Sequence, residues 1–251
     1  MKSAASHRLR IAMAALNPTV GDLAGNSAEI ARAVAAASSE GVHLIVFPEM
    51  VLTGYPIEDL ALRPSFRAAS KAAIDKLAQA IEDQGHGEVV AVVGYLDQAP
   101  SGGPQNVAAV IHRGQVRARY IKTHLPNFGV FDEYRNFVAG DSTLAVRIHG
   151  VDVGVLICQD IWHEDGVLKK LAARTPGLVV VPNGSPYERN KDDVRLSLVS
   201  REAKRMGAPF IYVNMVGGQD DLVFDGDSIV VGADGAVIAR APQFEDGMAL
   251  V

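Results

Sequence analysis

Val151-Asp-Val-Gly-Val-Leu-Ile157, followed at once by Cys158-Gln-Asp-Ile-Trp162, is the stretch from which the fold can be read. A short run dominated by valine, leucine and isoleucine, cut off by polar residues, is the pattern of a strand buried on both faces. Cys158, the only cysteine, therefore stands at the C-terminal tip of a buried strand, where open α/β sheets place their ligands. Outward from it, similar runs predict strands at about 143–149, 178–182, 209–214, 227–232 and 236–240 on the near side. Further upstream they fall at about 8–16, 42–47, 88–96, 106–112 and 115–121. Helical spacing appears at about 26–39, 64–83, 165–174 and 190–206. In the first of these, Asn26 or Ser27 is the expected cap, with Ile30, Val34 and Ala37 on the inward face. The last carries charge on one face, as a solvated or subunit-packing helix does. Helices interleaved with apolar strands, and a hairpin across Arg113-Gly114, indicate an α/β layered domain with mixed sheets.

Composition narrows the functional classes. The 251 residues carry 24 Lys+Arg against 29 Asp+Glu, a formal charge of −5, with 48% apolar and 21% charged residues. This balance excludes a disordered chain, and a single cysteine excludes a disulfide-framework fold. Scattered basic residues form no phosphate-tracking stripe, so nucleic acid is not an expected partner. No run approaches the roughly 18 apolar residues of a membrane-spanning helix. The opening MKSAASHRLR has no apolar core of a signal peptide, which makes the cytoplasm the expected compartment. No linker or repeat divides the chain, so one domain over 1–251 is expected, with 1–7 and the last few residues its mobile ends.

Two more polar residues share the position of Cys158. Glu49 follows the apolar run Val42-His-Leu-Ile-Val-Phe-Pro48, and Lys122 follows the alternating run Gln115-Val-Arg-Ala-Arg-Tyr-Ile121. Each has an ordinary reading: an inert buried thiol, a turn-capping carboxylate and a solvated lysine. Together, a thiol nucleophile, a carboxylate base and an ammonium for an oxyanion make a complete set for acyl transfer. The seven histidines supply no metal spacing, although His124 and His163 lie near Lys122 and Cys158 in sequence. Ser101-Gly102-Gly103 continues as Pro104-Gln105 and reads as a plain turn, not a phosphate loop.

These residues carry a resemblance. Phe47-Pro48-Glu49, Lys122-x-His124-Leu125-Pro126 and Ile157-Cys158-x-Asp160-x-Trp162 resemble the Glu–Lys–Cys motifs of the nitrilase (carbon–nitrogen hydrolase) superfamily. Longer strings are similar to the glutamine-hydrolysing domain of glutamine-dependent NAD+ synthetases. They are Glu49-Met-Val-Leu-Thr-Gly-Tyr-Pro56, Leu125-Pro-Asn-Phe-Gly-Val-Phe-Asp-Glu133, Val181-Pro-Asn-Gly-Ser-Pro-Tyr187 and Val216-Gly-Gly-Gln-Asp-Asp-Leu-Val-Phe-Asp-Gly226. Gln159 and Asp221 depart from that pattern, where glutamate is usual, and bear on substrate tuning.

The resemblance implies an α-β-β-α sandwich with two mixed sheets. It implies Cys158 as nucleophile, Glu49 as general base, and Lys122 with the following backbone N–H as the oxyanion site. Glu133 would orient the lysine, and Tyr55, Glu133, Trp162 and Ser185 would frame a glutamine pocket. The amidase reaction would need no cofactor; ATP and magnesium would belong to a C-terminal synthetase domain absent from this chain. A homo-oligomer, and a synthetase domain or subunit that receives ammonia, are the implied partners. A free-standing amidase for another small amide is the first alternative, and an inactive nitrilase-like scaffold a second.

Overall fold

A computed structural model describes residues 8–251. In chain order the elements are β1 (Ile11–Ala15), α1 (Leu23–Ser39), β2 (Leu44–Val46), α2 (Pro64–Asp83), β3 (Val90–Gln98), β4 (Pro104–His112), β5 (Gln115–Ile121), α3 (Glu133–Asn136), β6 (Leu144–Ile148) and β7 (Val151–Val155). There follow α4 (Val167–Ala172), β8 (Leu178–Asn183), α5 (Lys191–Met206), β9 (Phe210–Asn214), β10 (Val216–Gln219), β11 (Leu222–Asp225), β12 (Ile229–Val231), β13 (Val237–Arg240) and β14 (Gly247–Leu250).

Two six-stranded sheets form the centre, in the orders β14-β1-β2-β3-β4-β5 and β13-β12-β9-β8-β7-β6. Each has a parallel middle, β1-β2-β3 or β7-β8-β9, flanked by antiparallel strands. The period of two in the strands decides the layers. Ile11, Met13, Leu44, Val46, Val90 and Val92 join the core between the sheets, where Val153, Val155, Val180 and Ile211 also lie. Their neighbours Ala12, Ala14, Ile45, Ala91 and Val93 turn the other way and meet Ile30, Val34 and Ala37 of α1 and Ile74, Leu77 and Ile81 of α2. Leu171 of α4 sits against Gly154 of β7, and α5 packs on β9 and β12 with Leu198, Val199 and Ala203 buried. Helices thus cover both outer faces, and the expected α-β-β-α sandwich with mixed sheets is the observed one.

Four expectations need correction. Helix α1 begins at Leu23, and Asp22 caps it by accepting the Gly25 N–H (2.9 Å); Asn26 is buried inside it, tying Thr19 and Leu52 through its amide. The last residues form β14, paired antiparallel with β1, and Ile11 and Val251 exchange main-chain hydrogen bonds of 2.7 and 2.9 Å. Residues 1–7, also expected to be mobile, lie outside the described residues. The glycine-rich 216–226 string, not read as strand, folds as the β10/β11 hairpin. Finally, α5 does not keep all its charge in water, because Arg195 and Glu202 are buried beneath it.

Candidate active site

Three turns, each leaving the tip of a strand, converge at one end of the sandwich. The first follows β2. Met50 takes a left-handed φ of +50°, Thr53 N–H bonds back to Met50 O (3.0 Å), and Glu49 N–H bonds to Asn183 O (3.3 Å) at the end of β8. This turn lies flat across β3 because residue 94 is glycine; a Cβ there would stand 2.2 Å from Met50 N and 2.8 Å from Glu49 C. The second turn follows β5. Lys122 N–H bonds to Asn106 O (2.9 Å), and Gly140 N–H closes on Lys122 O (2.8 Å). The third follows β7 and is a 3-10 turn over Cys158–Trp162 whose first residue, Cys158, has φ +42°. A non-glycine residue in that region is uncommon, and such residues are enriched at functional sites.

Asp160 locks the second and third turns together. Its buried carboxylate accepts Ile157 N–H (3.0 Å) and Tyr120 O–H (2.7 Å) on one oxygen. The other oxygen accepts Thr123 N–H (3.2 Å) and His124 N–H (2.9 Å) and stands 3.2 Å from His124 Nδ1. His124 stacks on His163, ring centroids 4.3 Å apart. Both histidines thus lie beside the second and third turns. Among the described residues, no three His, Cys, Asp or Glu side chains converge as metal ligands.

The site itself is a buried ion cluster. Lys122 Nζ lies 2.7 Å from Glu49 Oε1 and 2.7 Å from Glu133 Oε2, with the lysine and Glu49 side chains fully buried. Glu133, at the first residue of α3, also accepts the Tyr55 hydroxyl (2.7 Å). Glu49 is held by two further donors, Asn106 Nδ2 (2.7 Å) and Gly184 N–H (2.9 Å). Burial works against the Lys122 ammonium, but the Glu133 and Glu49 carboxylates outweigh it and hold its pKa above the ordinary lysine value. Burial pushes Glu133 up to about 7, with Lys122 opposing and Glu49 reinforcing the rise. Burial, and then the charge of Glu49, also raises the Cys158 thiol well above its usual value; Lys122 and the Gly184 N–H oppose this. A thiol so placed rests protonated and would need a base to react as a nucleophile.

The structure brings five of the seven expected residues into one cluster: Glu49, Lys122, Cys158, Glu133 and Tyr55. Ser185 stands next to Gly184 and is engaged in its support. Its N–H donates to Asn214 Oδ1 (2.8 Å) and its hydroxyl accepts from Arg195 Nε (3.2 Å). Trp162, expected at the same pocket, is half-buried at the end of the 3-10 turn and borders a hollow beside α5 with Asp193, Val194, Ser197, Leu198 and Arg201. Sequence reading gave no role to Asn106, Gly184 or Arg195. Asn106 carried a faint signal, as the polar residue directly before the apolar run Val107-Ala-Ala-Val-Ile111. Arg195 carried none, because the helical pattern put it on a charged face.

Comparison with known proteins agrees with this geometry. The family described as carbon-nitrogen hydrolase matches residues 10–251. Glutamine-dependent NAD(+) synthetase of Rhodobacter capsulatus is 42% identical over 242 residues, covering 96% of this chain and 43% of that protein. The structure of glutamine-dependent NAD+ synthetase from Acinetobacter baumannii, in complex with ADP, superposes with a TM-score of 0.90 at 36% identity, over 96% of this chain and 45% of that one. A mutant amidase from Nesterenkonia sp. AN1, with the acetamide moiety of fluoroacetamide covalently added at its active site cysteine, gives 0.84 at 25% identity over 99% of this chain and 90% of that one. The chain spans less than half the length of those synthetases and nearly matches the amidase. With a buried thiol, carboxylate and lysine brought together at three strand tips, and a family match over almost its whole length, the chain belongs to the carbon–nitrogen hydrolases.

Proposed function

We propose that this chain hydrolyses the side-chain amide of glutamine and releases ammonia for NAD+ synthesis. The observation that carries the reading is the Lys122 ammonium bridging Glu49 and Glu133 at 2.7 Å, beside a thiol that burial keeps protonated. Glu49 takes the proton from Cys158 as sulfur attacks the amide carbon. The carbonyl oxygen becomes an oxyanion, held by Lys122 and the Gln159 N–H at the start of the 3-10 turn, where main-chain donors have no intrahelical partner. Glu49 passes its proton to the amide nitrogen, the C–N bond breaks, and ammonia leaves a γ-glutamyl thioester on Cys158. Water, deprotonated by Glu49, then attacks that carbon; the C–S bond breaks, glutamate departs and the sulfur recovers a proton.

Glu133 keeps Lys122 oriented, and Tyr55, which donates to Glu133, frames the substrate beside it. The reaction as written uses side chains, main-chain N–H groups and water alone. ATP and magnesium would serve only a synthetase that consumes the ammonia, as a further domain or a partner subunit. Residues 1–251 act in this reading as one hydrolase domain, in a homo-oligomer, in the cytoplasm. No helix among the described residues is long and apolar enough to cross a membrane.

A second reading, a free-standing amidase for another small amide, is favoured by the structural likeness to the Nesterenkonia amidase, whose active site cysteine takes up an acetamide moiety. Incubation with the glutamine analogue diazo-oxo-norleucine, followed by intact mass and peptide mapping, separates the two. One adduct on Cys158 that excess glutamine blocks supports the glutamine pocket. No labelling, in protein whose Cys158 still reacts with a small alkylator, transfers the assignment to the other amide.

A further inference from the structure

The two oxygens of Glu49 are not equivalent. Oε1 accepts both Lys122 Nζ (2.7 Å) and Asn106 Nδ2 (2.7 Å). Oε2 accepts only the Gly184 N–H (2.9 Å), the main-chain donor that also acts on the Cys158 thiol to lower its pKa. A carboxylate oxygen has room for about two donors, so Oε1 is filled while Oε2 keeps a lone pair on the side it shares with the thiol. Asn106 produces this inequality. It is the third residue of β4 and is buried, and its main-chain O also accepts the Lys122 N–H (2.9 Å). One residue thus fixes the backbone of the lysine and the carboxylate of the glutamate.

The Asn106 amide cannot turn over, because its oxygen would then face the Glu49 carboxylate. In the orientation it holds, Oδ1 is buried with no hydrogen-bond partner. Such an orphan acceptor is a cost to stability, and a leucine of similar size would not incur it. The amide therefore detracts from stability at the place where it organises Glu49. We propose that Asn106 is a positioning residue that divides the work of Glu49: Oε1 is held to Lys122, and Oε2 is kept as the basic oxygen toward Cys158. This rests on Glu49 being the base of the proposed hydrolysis.

The test follows carbamidomethylation of Cys158 by iodoacetamide from pH 5 to 9, with thermal melting, in wild type, Asn106→Leu, Asn106→Asp and Glu49→Gln. Alkylation needs no glutamine, so it is independent of the substrate. Asn106→Leu is expected to slow alkylation at pH 7 by about tenfold or more, the worth of one hydrogen bond to a charged group, without lowering the melting temperature. Asn106→Asp sets a second carboxylate against Glu49 and is expected to move the acid limb of the profile upward by about one pH unit. If Asn106→Leu fails to fold, the isosteric Asn106→Asp profile decides. Wild-type rates and profiles in both Asn106 variants, or slower alkylation accompanied by a matching loss of melting temperature, overturn the proposal. A Glu49→Gln protein that alkylates like wild type overturns instead the reading of Glu49 as base, and the division of its oxygens with it.

Discussion

At Cys158 the backbone holds a left-handed φ of +42° and the surroundings hold the proton on sulfur. In the proposed hydrolysis such a thiol needs a base to take its proton and an oxyanion site to hold the carbonyl oxygen. Cys158→Ala is accordingly expected to abolish turnover, and Lys122→Ala to cost at least the ~10²–10³-fold typical of a lost oxyanion donor, both read as steady-state ammonia release. Glu133 gives a pH prediction. Its folded pKa, about 7, lies above the carboxyl value of 4.5. The native state therefore binds more protons than the unfolded chain between those values, and stability falls as pH rises through that window. Glutamine at this position can still accept from Lys122 and donate to Tyr55 without ionising. Melting temperatures of wild type and Glu133→Gln, compared from pH 4 to 8, are expected to move in the variant's favour as pH rises. A constant difference across the series counts against a raised Glu133.

The elements hold these side chains through a few tight contacts. Gly94→Ala places a Cβ against the main chain of Met50, Pro48 and Glu49, which has no flexible end to move aside. Overpacking of this kind costs about 1–3 kcal/mol, or roughly 2–12 °C of melting temperature in a chain this long. Turnover is expected to fall further than stability, since Glu49 moves with the turn. Arg195 joins three elements: from α5 its guanidinium forks onto Asp225 of β11 (2.7 and 2.8 Å) and donates to Ser185 O and Pro186 O (2.9 and 2.8 Å). Arg195→Met strands Asp225 without its partner and is expected to cost about 3–5 kcal/mol in chemical denaturation. Restoring much of that by adding Asp225→Leu would confirm the pair as its source. The strand tips were legible in the sequence because apolar runs stop abruptly at Glu49, Lys122 and Cys158. The supports were not, since Asn106, Gly184 and Arg195 act across β4, the loop after β8 and α5, which only tertiary folding brings together.

For the whole molecule, the layered architecture was legible from the order of elements, and eleven of the strand positions came from periodicity alone. What escaped were strands whose cause is not local. β14 is four residues, Gly247-Met-Ala-Leu250, and is a strand only because β1 offers it an edge. Deleting 247–251 strips that cover from Ala12, Met13 and Ala14, and is expected to lower the melting temperature and promote association through the opened edge, seen by light scattering. The partition of the catalytic groups has a wider consequence. Glu49 and Lys122 follow β2 and β5 of one sheet, whereas Cys158 follows β7 of the other. Turnover is therefore a strain gauge for the seam between two slabs: hydrostatic compression or a shear that slides one against the other will silence the enzyme while each slab, by spectroscopy, is still whole.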